Sequence, residues 1–288
     1  MNEFGLFLRA RGAYAQAEPL FERALGIREK ALGPEHPEVA TSLNNLALLY
    51  YNQGRYTKAE FLYQRALSVR ETALRLEHPD VAVSLDTLAE LYAAQGQYAQ
   101  AEPLHERALA IRERALGPEH PDVSWSLNSR AALYVDQARY AEAESLYERA
   151  LAIREKALGP EHPNVARSLN GLAELYAAQD QYAEAEPLYK RALAIREKAL
   201  GPKHRDLAWS LNGLAALYAT QGQYAQAEPL YQRSLAIREK APEKALGPEP
   251  PNVATSLEKY AFLLRRMGRP EEAAQLESRA RVIRAKHA

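Results

Sequence analysis

Apolar residues recur along the chain with a period of 42 residues, and each period holds two stretches with helical spacing. In the second period the first stretch presents Leu43, Leu46 and Tyr50, and the second presents Tyr63 and Leu67. Separations of three and four residues place side chains on one face of an α-helix. The second stretches open at Tyr14, Tyr56, Tyr98, Tyr140, Tyr182 and Tyr224. The pattern predicts a helix–turn–helix unit repeated along the chain.

A proline-containing loop separates one repeat from the next. Its form Gly-Pro-Glu-His-Pro occurs at residues 33–37, 117–121 and 159–163. The last proline suits the first turn of a helix, so the first helix of the second repeat should run from Pro37 to Gln53. The second helix should begin at the repeated tyrosine, for example from Tyr98 to Leu116.

Two kinds of irregularity interrupt the repeat. Glycine suits the left-handed residue that ends a helix, but Ala138 and Asp180 take that place in two repeats, which predicts slight strain. Ala241–Lys244 are inserted after the sixth repeat, and Pro242 predicts a longer loop there. We expect one domain, 1–288, with a truncated first repeat and boundaries at approximately 1–32, 33–74, 75–116, 117–158, 159–200, 201–246 and 247–288.

Composition favours helix and excludes several classes of function. Lys plus Arg equals Asp plus Glu at 37 each, so no net charge draws the chain to nucleic acid or a membrane. The absence of cysteine excludes disulfides, thiol nucleophiles and cysteine-based zinc sites, and it fits a cytoplasmic location. No apolar run approaches the ~20 residues that span a bilayer, and the first residues lack the pattern of a signal peptide.

The order of small and large residues, with Leu43, Ala47, Tyr50, Ala59 and Tyr63 as one example, resembles the tetratricopeptide repeat. About eight extra residues per unit and the Ser-Leu-Asn-Asn-Leu-Ala start look like the longer subtype of kinesin light chains. That subtype also occurs in bacterial proteins, some with an upstream NB-ARC-type nucleotide-binding module. The resemblance implies an all-α, right-handed superhelical α-solenoid of about seven repeats, which binds proteins and needs no cofactor.

The two ends of the chain differ in polarity. An apolar edge is predicted at the N-terminal end by Phe4, Leu6, Phe7 and Leu8, which align with the end of a first helix whose opening residues are missing. Either the chain is a fragment, or this edge packs on a partner or on a second copy. At the other end Glu277 replaces the usual tyrosine and Arg281 replaces leucine, which predicts a polar cap.

No group of residues predicts catalysis or a metal site. One histidine per loop recurs at His36, His78, His120, His162 and His204. Equivalent atoms of neighbouring repeats should be about 10 Å apart, too far to share a metal, so we expect these residues to begin helices or pack loops. An arginine late in each second helix should interact with the helix dipole or a carboxylate, with an anion-binding edge as the alternative. We therefore predict that the chain is not an enzyme.

In the tetratricopeptide family the first helices line a concave groove, and a few of their positions point into it. One such position holds an amide in most repeats, at Asn44, Asp86, Asn128, Asn170 and Asn212. An amide both donates and accepts, so this asparagine column is predicted to hold the backbone of an extended peptide. The alternative is that it joins neighbouring helices.

Three residues earlier, the same face presents Val83, Trp125, Arg167 and Trp209. Tryptophan is enriched in binding hot spots, but each indole would equally pack against the neighbouring first helix. Further groove residues are predicted at Tyr51, Glu90, Asp136, Glu174, Phe262, Arg265 and Arg266. The Lys and Arg set of the carboxylate clamp, which binds acidic chaperone tails, is not found.

These observations predict a scaffold that binds an extended peptide or a partner protein in the groove, with no nucleic acid or membrane partner. One alternative is a sensor or regulatory arm of a larger signalling protein. Another is self-association through the apolar N-terminal edge.

Overall fold

The structure, a computed structural model, describes residues 2–10, 13–239 and 251–287. These residues form fourteen α-helices and no strand, which confirms the all-α prediction. The helices are α1 (Asn2–Ala10), α2 (Tyr14–Leu32), α3 (Pro37–Asn52), α4 (Tyr56–Ala73), α5 (Pro79–Ala94), α6 (Tyr98–Leu116), α7 (Val123–Asp136), α8 (Tyr140–Leu158), α9 (Val165–Ala178), α10 (Tyr182–Leu200), α11 (Leu207–Thr220), α12 (Tyr224–Glu239), α13 (Pro251–Arg266) and α14 (Pro270–His287).

The chain divides into two compact units, residues 1–153 and 154–288, and the division falls inside α8. In the first unit α1 and α2, α3 and α4, and α5 and α6 pair as helical hairpins, and each second helix also packs on the next first helix. The second unit repeats this arrangement with α9 and α10, α11 and α12, and α13 and α14. A single domain over residues 1–288 stays a prediction.

The loop histidines begin the first helices. The His36 side chain accepts a hydrogen bond at Nδ1 from the backbone N–H of Glu38 (3.2 Å), and His162 accepts in the same way from Asn164 (3.2 Å). His36 is the N-cap of α3, whereas His162 lies two residues before Asn164, the N-cap of α9. In both cases the imidazole satisfies a backbone N–H group that the start of the helix leaves without a partner. The prediction that these histidines serve helix entry is confirmed.

Two first helices end on a residue that carries a side chain in a left-handed conformation. Ala138 has φ 57° and Asp180 has φ 59°, where the same place in other repeats is held by glycine. A side chain in this region costs energy because Cβ crowds the backbone. The predicted strain is therefore confirmed at both turns.

Small residues allow the helices of each unit to approach closely. Ala47 and Ala89 in the first unit, and Ala173 and Ala215 in the second, have no exposed surface. Large neighbours such as Tyr189 fill the space beside them. This is the interdigitation of small and large residues that the repeat pattern predicts.

The N-terminal helix of the described chain exposes apolar side chains and the C-terminal helix exposes polar ones, as predicted. Phe4 and Phe7 of α1 are 52% and 43% exposed, whereas Glu277 of α14 pairs with Arg265 (2.6 Å). The predicted insertion loop at Ala241–Lys244 lies outside the described residues. None of the helices in the described ranges combines the length and apolar character needed to cross a membrane.

Candidate binding surface on the first helices

The predicted groove residues all lie on the first helices, α3, α5 and α7 of the first unit and α9, α11 and α13 of the second. Each first helix packs with one side on the second helices, and its opposite side faces away from them. We call that outer side the first-helix face. Within each unit neighbouring first helices also touch, so the face is continuous from α3 to α7 and from α9 to α13.

The asparagine column of the second unit lies beneath this face. Asn170 is fully buried, and its amide donates to the Ser210 hydroxyl (3.0 Å) and accepts from it (3.1 Å). Asn212 is 4% exposed and donates to Ser256 (3.2 Å). These bonds link one first helix to the next, which favours the inter-helix role over ligand contact for these two residues.

The column is less regular in the first unit. Asn128 is buried and donates to the Ser124 carbonyl oxygen one turn earlier (2.5 Å). Asn44 is only half-buried, and its Oδ1 atom has no hydrogen-bond partner among the described residues. Asp86, the acidic member of the column, is 7% exposed. The predicted groove position is thus mostly interior, and a serine of the next repeat bonds to the side chain at Asp86, Asn170 and Asn212.

Asp86 forms a buried polar network that the sequence analysis missed. One carboxylate oxygen lies 2.8 Å from His105 Nδ1, and the other accepts from Ser126 (2.9 Å) and from Arg112. His105 stands where four other repeats have tyrosine, at Tyr63, Tyr147, Tyr189 and Tyr231. Two exceptions to the repeat, Asp86 and His105, are therefore direct partners. Alignment of the repeats shows that residues 86 and 105 both differ from their equivalents, but it does not show that their side chains touch.

This network brings Ser, His and Asp together without the geometry of a hydrolase. Ser126 donates to the carboxylate, and within the described residues no bond joins it to His105. All three side chains are interior, with His105 1% exposed and Ser126 fully buried. A nucleophilic serine needs the histidine beside its own hydroxyl and access to substrate. Among the described residues no cluster of His, Asp and Glu could hold a metal ion.

The arginine column supports the same seam between repeats. Arg70 donates to Ser84 (2.8 Å) and Arg196 donates to Ser210 (2.8 Å). Loss of hydration lowers the pKa of both arginines, and it lowers the pKa of Arg154 to about 10. The structural role predicted for this column is confirmed for these residues, but the partner is a serine hydroxyl rather than a surface carboxylate.

The first-helix face of the first unit exposes apolar and acidic side chains. Val83 is 38% and Trp125 is 39% exposed, at the beginning of α5 and α7. Glu90 is exposed two turns after Val83 and accepts from the Ser129 hydroxyl (3.1 Å). Tyr51 is half-buried near the end of α3, and burial together with the charge of Glu90 raises the pKa of its hydroxyl.

The face of the second unit is more closely bonded to itself. The Trp209 indole donates to Glu174 (2.6 Å), and the Arg196 guanidinium lies 5.3 Å from the centre of the indole ring. Glu174 keeps an exposed surface, yet the surrounding helices remove enough water to raise the pKa of its carboxyl. Arg167 is half-buried, and its charge helps to lower the pKa of Arg196, after the larger effect of burial.

Stacked helical hairpins with small–large packing define a class of protein, the helical-repeat scaffolds that bind other proteins. The family model described as "Tetratricopeptide repeat" matches residues 80–156, 130–198 and 170–240. A second model, for the nephrocystin-3 TPR domain, matches residues 1–115. This chain belongs to the tetratricopeptide repeat family, and its fold is typically non-enzymatic.

Solved structures include kinesin light chain-like relatives. A putative kinesin light chain with nearly identical TPR-like repeats from Podosopora anserina is 33% identical, with 73% of this chain and 99% of that chain covered and a TM-score of 0.55. BtubC from P. vanneervenii is 24% identical, with 82% and 91% covered and a TM-score of 0.60, and this likeness concerns the fold. No curated protein sequence matches the chain.

Proposed function

We propose that the chain is a scaffold that binds an extended segment of a partner protein along its first-helix faces. The exposure of Trp125 and Val83 supports this most directly. Equivalent packing buries the core positions of α5 and α7, such as Leu85, Leu88 and Leu127, to 4% or less. Large apolar side chains left open beside such a core are typical of interaction sites.

Recognition would rest on the outer side chains of the face. A partner side chain would pack on Trp125 and Val83, and polar groups of the partner would meet Glu90 and Tyr51. Asn170 and Asn212 already bond to serines, so in the second unit Arg167, Glu174 and Trp209 would make the contacts. The asparagine column then supports the face from beneath and does not itself hold the peptide backbone.

Peptide selection tests this proposal. Random dodecamer peptides displayed on phage are selected on the full chain, and the binding of selected peptides is measured by calorimetry. Trp125→Ala should weaken binding by about tenfold or more, because truncation of an aromatic anchor costs on the order of 2 kcal/mol. The matched control is Phe61→Ala, since Phe61 is 65% exposed on the second helix α4. Equal binding by all three proteins would overturn the proposal.

Self-association through α1 is a second candidate function. The Phe4 and Phe7 rings stack with centres 6.1 Å apart and remain exposed. Light scattering over a range of protein concentrations should show a dimer that Phe7→Ser converts to a monomer. A monomer at every concentration would exclude this candidate. The role of a regulatory arm in a larger signalling protein stays a prediction.

A further inference from the structure

The first-helix face of the first unit is acidic. Five positions of each first helix belong to the predicted groove, and on α3, α5 and α7 they hold residues 41, 44, 48, 51, 52, then 83, 86, 90, 93, 94, then 125, 128, 132, 135, 136. No Lys or Arg occurs among these fifteen residues, while Asp86, Glu90 and Asp136 do. Arg112 pairs with Asp86 from beneath. Glu90 and Asp136 therefore remain as the acidic groups on the surface.

Both carboxylates lie toward the C-terminal ends of their helices, where an acid is unfavourable. Asp136 is the last residue of α7, and the negative end of the helix dipole disfavours a carboxylate there. Within the described part of the chain no cation pairs with Asp136, and partial loss of hydration raises the pKa of its carboxyl. A cation brought by a partner would relieve both effects.

A buried positive charge lies near the opposite edge of this face. The Arg70 guanidinium, 6% exposed, is 3.5 Å from the Thr41 hydroxyl and bonds to Ser84, near the beginnings of α3 and α5. Val83 and Trp125 are at that same edge. A bound segment would thus meet apolar surface at one edge and carboxylates at the other. This asymmetry gives a basic ligand one favoured direction.

The rise of the helix sets the expected spacing between the apolar and the basic side chain of the bound segment. Val83 and Glu90 are seven residues apart on α5, a rise of about 10 Å at 1.5 Å per residue. An extended segment covers about 3.3 Å per residue. Alternate side chains of such a segment lie on the same side, so its basic side chain should follow its apolar side chain by four residues, about 13 Å, if Glu90 receives it. The distance along α7 from Trp125 to Asp136 is about 16 Å, which lies between the lengths of four and six residues.

We propose that the face of α3, α5 and α7 binds an extended basic segment of a protein partner. An apolar side chain of that segment packs on Val83 and Trp125, and Lys or Arg four to six residues further on pairs with Glu90 and Asp136. This inference rests on the proposed function, because it names the partner chemistry of the same face.

The test uses three fluorescent peptides that share one apolar residue and differ at the fourth and sixth positions after it, which lie on the same side of an extended segment. One peptide carries Lys at both positions, one carries Gln and one carries Glu. Binding to the full chain is followed by fluorescence anisotropy at low and high salt. We expect the Lys peptide to bind about tenfold more tightly than the Glu peptide at low salt, with the difference reduced by screening.

Variants assign the preference to this face. Glu90→Gln combined with Asp136→Asn should remove the difference between the Lys and Glu peptides. Glu174→Gln, the same repeat position in the second unit, should leave it unchanged. Circular dichroism melting checks that each variant is folded. A preference for Glu, or a preference for Lys that survives the double variant, would overturn the inference.

The two proposals fail in different ways. If the Gln and Glu peptides bind as well as the Lys peptide, and Trp125→Ala weakens all three, the face binds peptides and only the charge preference is overturned. If none of the three binds at any salt concentration, the proposed peptide-binding function of this face is overturned as well.

Discussion

Trp125 and Trp209 occupy the same position of the repeat, two repeats apart, yet they have different surroundings. In the second unit Trp209 donates to Glu174 (2.6 Å) and Arg196 lies over its ring. The corresponding carboxylate of the first unit is Glu90, which accepts from Ser129 instead (3.1 Å). Trp125 is 39% exposed. The same residue in the same position is thus bonded to an acidic side chain in one unit and keeps a large exposed surface in the other.

The different hydrogen bonds of Glu90 and Glu174 follow from a residue that the second helix places against the first helix. Where the first unit has Ser129, the second has Gly213, and a Cβ on Gly213 would lie 2.4 Å from the Tyr189 ring. Tyr189 therefore excludes a side chain that would compete for Glu174. In the first unit His105 replaces this tyrosine and bonds to Asp86. The first unit thus has histidine in place of tyrosine on its second helix and serine in place of glycine on its first helix. That serine, Ser129, bonds to Glu90, whereas Glu174 of the second unit bonds to Trp209.

Asp86→Ala should have the largest effect, because it leaves the Arg112 guanidinium, 6% exposed, without its carboxylate. Loss of one partner of a buried ion pair costs about 3–5 kcal/mol. Urea unfolding measures the change. The control is Asp86→Asn with His105→Tyr and Ser129→Gly, which restores the residues found in the second unit at Asn170, Tyr189 and Gly213 and should cost much less. Ser129→Gly is included because a side chain at that position would meet the new tyrosine ring, as a Cβ on Gly213 would meet Tyr189. An Asp86→Ala protein that unfolds at the same urea concentration as the unchanged chain would mean that the network does not stabilise the first unit.

Gly213→Ala should destabilise the second unit by about 1–3 kcal/mol, the usual cost of overpacking. Its added methyl group would meet the Tyr189 ring, which is 2% exposed. Gly26 is a matched control because it lies in α2 with open space around its Cβ position, so Gly26→Ala should be neutral or stabilising. Thermal melting compares the two. A stable Gly213→Ala protein would contradict the role assigned to Tyr189.

Asn170→Ala separates the two roles of the asparagine column. If the amide joins α9 to α11 through Ser210, its loss should cost about 1–3 kcal/mol as a buried hydrogen bond and leave peptide affinity within twofold. If the column holds the peptide backbone, affinity should fall instead while stability holds. Denaturation and calorimetry on the same variant distinguish these outcomes.

Ser129→Gly should make the first unit more like the second. Removal of the hydroxyl takes away the bond from Ser129 to Glu90, so Glu90 becomes able to accept from the Trp125 indole as Glu174 accepts from Trp209. In a Trp209→Phe background the emission of Trp125 should shift to shorter wavelength as the indole becomes less exposed. An unchanged spectrum would show that Ser129 does not control the exposure of Trp125.

The smallest effect should be the pH dependence of the Trp209 environment. Glu174 has a raised pKa because of burial, so its protonated form is favoured in the folded state. The stability that this group contributes is present below its unfolded pKa and is lost as pH rises through the raised folded value. Trp209 fluorescence, measured in a Trp125→Phe background, should titrate at a higher pH than an ordinary glutamate. Glu174→Gln should remove the transition.

Local patterns in the sequence determined the secondary structure and the repeat. Apolar spacing, the proline after four of the five loop histidines and glycine at helix ends act within a few residues of the chain, so they predicted hairpins such as α5 and α6. Even the strain at Ala138 and Asp180 followed from the missing glycine. These features need no knowledge of which residues meet across the fold.

Only the tertiary structure decided which side chains of the first helices are available to a ligand. The sequence places Asp86, Asn170, Trp125 and Trp209 on one side of their helices, but their exposure depends on partners up to 40 residues away. A buried polar side chain must find a hydrogen bond wherever the fold provides one, and Ser210 provides it for Asn170. Trp125 stays open because the chain between the two repeats supplies different neighbours, which a single repeat does not contain.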